Sequence, residues 1–212
     1  MLDYISAWHP GLQVLAIAGV AIVLGLILHF VVWQVVRLFL HKTKTVLDDA
    51  LMRHGRKPTL LIFPLIVLHL LMPLMTNRVS ESVSSLIGDA FTVLLILAVS
   101  WLIIRMGSVV EDVLLQQYRL DVDDNLRARR IHTQVKIIKR IIAFAVTVVA
   151  LGLILMGFEQ VRQLGTGILA SAGIAGLILG LAAQRTLSNL LAGIQIAFTQ
   201  PITLDDVVIV EG

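Results

Sequence analysis

Five long stretches of this chain carry almost no charge, and nothing else in the sequence limits its fold so severely. The hydrocarbon core of a bilayer, about 30 Å thick, is crossed by about 20 helical residues at about 1.5 Å each. Residues 12–33 are interrupted only by Gln13 and His29, and residues 58–77 are uncharged throughout, with Pro64 and Pro73 expected to kink the helix. Residues 86–104 reach full span if Leu86 and Ile87 join the uncharged run and Asp89 sits at the interface. Residues 141–158 form a fourth window and residues 163–184 a fifth, rich in glycine and alanine. The first is too long for a cleavable signal peptide and has no basic residue ahead of it. Composition agrees: 58% of the 212 residues are hydrophobic and only 15% charged, too few charges to coat a water-soluble globule. The sequence therefore predicts a mainly α, multi-pass integral membrane protein.

Lysine and arginine set the expected orientation, because cytoplasmic connections retain them. Arg37, Lys42, Lys44, Arg53, Arg56 and Lys57 follow the first window, and Arg105, Arg119, Arg127, Arg129, Arg130, Lys136, Lys139 and Arg140 follow the third. The second and fourth connections hold only Arg78 and Arg162. This alternation predicts basic cytoplasmic loops at 37–57 and 105–140, a periplasmic amino terminus and a cytoplasmic carboxyl terminus. Such clusters beside spans suit anionic lipid headgroups; nucleic-acid binding fits poorly, because the cations are interleaved with hydrophobic positions of helices entering the membrane. Asp121, Asp123 and Asp124 precede a helix running through Arg127, Arg129 and Arg130, which fits a helix start better than a metal site. No catalytic constellation, cofactor motif or metal site is predicted, and cysteine chemistry is excluded because the chain has none. His29, Gln34 and His69 are isolated polar groups within or beside spans, without the paired carboxylates of a proton relay.

The fifth window is unlike a lipid-facing helix, which bulky residues dominate. At about 100° per residue, Ala172, Gly173, Gly176, Gly180 and Ala183 share one arc, with Leu177 and Leu181 together beside it near Ala170. Small residues let helix backbones approach closely in lipid, in a monomeric bundle or between copies. After Arg185, the polar Thr186, Ser188, Asn189, Gln195 and Gln200 alternate with Leu187, Leu190, Leu191, Ile194, Ile196 and Phe198, predicting an amphipathic half-helix at the interface. Pro201 stops it, and residues 202–210, with Val207 to Val210 after Asp205 and Asp206, read as a strand.

The run Gly-Ile-Ala-Gly-Leu-Ile-Leu-Gly-Leu-Ala-Ala-Gln at 173–184, with Leu187-Ser188-Asn189-Leu190, Ala192-Gly193 and the exit from Pro201 to Val210, resembles the pore helix and first β-strand of the small-conductance mechanosensitive channel (MscS) family. The likeness covers about 50 residues. Residues 1–164 match only as preceding membrane helices, in the number found in extended, five-helix members. The segment Asp123-Asp124-Asn125-Leu126-Arg127 to Arg140 also resembles a loop of such members.

The resemblance implies outer transmembrane helices over 1–162, a pore helix and half-helix over 163–200, and the start of a cytoplasmic β-domain over 201–212. It also implies a truncation, since family members continue into that domain. Leu177 and Leu181 would form the pore constriction, Gly173, Gly176 and Gly180 would pack against neighbouring subunits, and Gln184, Arg185, Asn189 and Gly193 would occupy the pore mouth and kink region. Ile174 and Ile178 stand where the prototype has alanines, and Arg185 where it has a kink glycine. Arg185 either lines the cytoplasmic mouth, favouring anions, or caps the helix end or reaches lipid phosphate. The implied function is a homo-oligomeric, heptameric ion channel of the bacterial inner membrane, opened by tension and passing ions passively during hypoosmotic shock, with lipids as partners. A secondary transporter and a non-conducting membrane assembly module remain alternatives; the first would need repeated halves, and no internal repeat is visible.

Overall fold

Proline at the first helical position opens α1 (Pro10–Leu40), where its missing N–H would have had no helical partner. The computed structural model describes residues 10–40, 45–76, 79–117 and 126–199. Helix α2 (Val46–Thr76) starts on a cap: the Thr45 N–H donates to the Asp48 carboxylate at 3.0 Å, and the Asp48 N–H to the Thr45 carbonyl at 3.0 Å. Helix α3 (Glu81–Gln117) follows Ser80, whose carbonyl accepts from the N–H groups of Val83 and Ser84 at 3.0 and 2.9 Å. Helix α4 (Leu126–Gly157) ends at a glycine; Phe158 is extended, and a short 3-10 turn, Glu159–Val161, leads into α5 (Arg162–Thr199). The Arg162 Nε–H donates to the Met156 carbonyl at 3.2 Å, satisfying an acceptor that the end of α4 leaves free.

All five helices are long and apolar enough to cross a membrane. They coincide with the five predicted windows but run further. Helix α2 begins at Val46, α3 continues to Gln117 and α4 begins at Leu126, so much of the basic segments read as loops over 37–57 and 105–140 is helical. Their Arg, Lys, Glu, Gln and Leu residues are good helix formers, and a hydropathy window marks where a helix leaves lipid, not where its hydrogen bonds end. Pro58, Pro64 and Pro73 all lie inside α2. Among the described residues there is no strand; the strand expected over 202–210 lies outside them, as do Asp121, Asp123 and Asp124.

The chain divides into two units, one ending at Ile168 and the other beginning at Leu169. In the first, each helix packs on the next in sequence. Along the α1–α2 seam, Gly25 meets Pro64, His29 meets Phe63 and Trp33 meets Thr59. Numbers rise on one helix as they fall on the other, so the pair is antiparallel. His69 on Phe91 and His54 on Asp112 give the same sense for α2 and α3, and Lys139 on Glu111 joins α3 to α4.

Among the described residues half of the buried hydrophobic side chains are alanines, Ala21, Ala50, Ala98 and Ala150, beside the larger Ile62, Met75 and Phe91, whereas Leu70 and Phe144 are 71% and 72% exposed. Large apolar groups pointing outward over small ones pointing inward is the arrangement expected when the solvent is lipid, since helices then gain contact by approach of small residues. Gly25 is the clearest case: a Cβ there would lie 2.6 Å from the Pro64 nitrogen, so only glycine lets α1 and α2 meet at this level. Gly165 does the same where the first turn of α5 meets α4: a Cβ there would stand 2.6 Å from the Gly152 carbonyl oxygen.

Candidate functional site

Every residue singled out for function in the Gly/Ala-rich segment lies on α5. From Gly173 to Thr199 each residue is exposed, and Leu177 and Leu181 are 65% and 63% exposed. A Cβ added at Gly173, Gly176, Gly180 or Gly193 would meet nothing within 4 Å. The two leucines stand one turn apart, beside the arc of glycines that the helical period places together. Gln184, Arg185, Asn189 and Gly193 follow on the same helix, all exposed.

Two expectations about this helix are corrected. No break separates a crossing helix from an amphipathic one: α-helix runs from Arg162 to Thr199 without interruption. Arginine is a good helix former, and no proline or glycine falls between Gln184 and Asn189 to break the helix there. Arg185 consequently does not cap a helix end, because α5 continues to Thr199. At about 1.5 Å per residue the 38-residue helix is about 57 Å long, nearly twice the thickness of a hydrocarbon core. Part of its length therefore leaves the hydrocarbon layer, and the polar residues from Arg185 onward suit that part.

The isolated intramembrane polar residues prove to differ from one another. His29 is 4% exposed, its ring against Trp33 and Phe63 at centroid separations of 6.2 and 5.9 Å, and neither ring nitrogen makes a hydrogen bond. Its ring is enclosed by these two aromatic side chains. His69 is exposed and stacks on Phe91 at 5.0 Å, and Gln34 is exposed. One turn from His29, the Trp33 Nε1–H donates to Thr59 Oγ1 at 2.8 Å, and the Thr59 hydroxyl lies 2.9 Å from the Gly55 carbonyl.

Sequence reasoning missed the polar cluster at the basic end of α2, α3 and α4. Lys139 Nζ donates to Glu111 Oε2 at 2.6 Å, and His54 Nε2 stands 2.9 Å from Asp112 Oδ2, with Arg53 3.8 Å from the same oxygen. Two consecutive carboxylates on α3 thus engage α4 and α2 separately. The visible signal was Glu111-Asp112 itself, an acidic pair between Arg105 and Arg119. Farther along the same helices, α3 and α4 border an apolar groove of about 410 Å³ lined by Val99, Ser100, Val146 and Val149 among others. Among the described residues no three His, Cys, Asp or Glu side chains are grouped as a metal site would require.

No protein-family model, curated protein or solved structure matches the chain.

Proposed function

We propose that this chain is the membrane part of a tension-gated ion channel of the MscS type, a homo-oligomer of the bacterial inner membrane with α5 from each copy around a shared aqueous axis. A ring of seven copies follows from the resemblance, and a periplasmic amino terminus from the alternation of basic and sparsely charged connections. The observation that carries the reading is the state of α5: a small-residue helix exposed from Gly173 to Thr199, whose glycines have open space around them. At Gly25 and Gly165 this protein uses glycine to bring two helices together. Gly173, Gly176 and Gly180 meet no such partner among the described residues of their own unit, which supports a role for them in packing against other copies.

Leu177 and Leu181 then project beside the packed arc toward the axis. Stacked rings of apolar side chains close a pore by dewetting, with no moving plug. Stretching the bilayer favours the state of larger in-plane area, so tension that tilts α1 to α4 outward draws the leucine rings apart. Ions pass down their gradient and no chemical step occurs. The test is patch recording from liposomes containing the purified protein. Current steps that appear with suction and without substrate are expected, and Leu177→Ser should lower the tension at which they begin. Silence up to lytic tension from oligomeric protein would mean a non-conducting assembly module instead.

A further inference from the structure

We propose that His29 latches a second packing of α1 on α2, in which α2 bends further at Pro64 and the imidazole N–H donates to the Leu60 carbonyl. The inference concerns the α1–α2 seam alone and rests on no reading of ion conduction. Two polar groups of opposite kind lie at one level of this seam, each short of its ordinary partner. His29 is the first: its ring is buried against Trp33 and Phe63, and neither nitrogen makes a hydrogen bond. A neutral imidazole carries one N–H, so it has a donor to offer. The Leu60 carbonyl is the second. In an α-helix it would accept from the N–H of residue 64, and proline has none.

The register of the two helices brings these groups together. Gly25 meets Pro64, so His29, one turn further along α1, stands about one turn earlier on the antiparallel α2, with its ring beside the Thr59 backbone. Trp33, a turn beyond, is pinned to the Thr59 hydroxyl. The orientation of the proline sets the direction in which the seam can open. A proline ring crowds the carbonyl four residues before it, so the helix bends away from the side that bears the proline and tilts that carbonyl outward. Pro64 faces α1, since a Cβ on Gly25 would lie 2.6 Å from its nitrogen. Bending therefore turns the Leu60 carbonyl toward the helix that carries the unpaired donor. Buried polar groups without partners are costly and rare; the pairing of these two offsets the contacts that bending loses.

The absence of cysteine allows spin labels at Leu15→Cys on α1 and Leu74→Cys on α2, exposed positions on the far side of Pro64 from His29. Labelled protein diluted with unlabelled protein in liposomes reports distances within one chain by pulsed electron–electron resonance. Two populations are expected, and His29→Phe should shrink the more separated one about fivefold, the effect of losing one net hydrogen bond. His29→Gln, which keeps a donor, should retain that population, and Pro64→Ala, which returns an N–H to the Leu60 carbonyl, should abolish it. A single population in the unsubstituted background overturns the proposal, as does a separated population that His29→Phe leaves unchanged.

Discussion

A single missing methyl group decides whether α1 and α2 can meet. Gly25→Val would drive its side chain into the Pro64 backbone, which cannot move aside as a flexible side chain could. The expected cost is about 3 kcal/mol, at the upper end for overpacking, measured as loss of helical signal on denaturant titration in detergent micelles. Trp33→Phe keeps the ring and removes only the donor to Thr59, so about 1 kcal/mol should be lost in the same titration. His29 behaves oppositely. Its buried ring nitrogens have no partner, so His29→Phe exchanges an unsatisfied polar group for an apolar ring and should leave stability equal or higher. These residues were visible in the sequence as a glycine, a proline, a tryptophan and a histidine in spans. What was not visible is that they share one seam, since that depends on how each helix is rotated about its axis.

At the scale of the helix, hydropathy and period located the centre of every crossing and the small-residue arc of α5, because both are properties of one segment on its own. They located the ends poorly. Amphipathic extensions such as 105–117 and 126–140 keep the hydrogen bonds of α3 and α4 after apolar character has gone. Helix α5 gives two tests of what its exposed face does. A Cβ at Gly176 meets nothing within 4 Å among the described residues, so Gly176→Val should still fold, with its helical signal and micelle melting curve unchanged. If the face packs on other copies, the same substitution should shift native mass spectra from oligomer to protomer. Arg185→Glu tests the pore mouth: a ring of arginines attracts anions, so the reversal potential under a salt gradient should move toward cation preference. An unchanged potential would assign Arg185 to lipid phosphate.

For the whole molecule, the charge alternation predicts that Val79, between α2 and α3, faces the periplasm and Gln116, near the end of α3, the cytoplasm. In the cysteine-free background, Val79→Cys should react with a membrane-impermeant maleimide in intact spheroplasts, and Gln116→Cys only after permeabilisation. Equal labelling of both would reject the topology. The sequence by itself determined that the chain crosses a membrane, in five apolar segments separated by alternating basic and sparsely charged connections, and that one segment is built of small residues. Each of these is written along the chain, where the partition of a side chain between water and lipid needs no knowledge of its neighbours. Only the tertiary structure decided that Glu111 answers Lys139 while Asp112 answers His54, that Gly25 admits Pro64, and that α5 passes Arg185 without a break. Those outcomes depend on register and rotation between packed helices, and a shift of one residue turns each side chain by about 100° to a different partner.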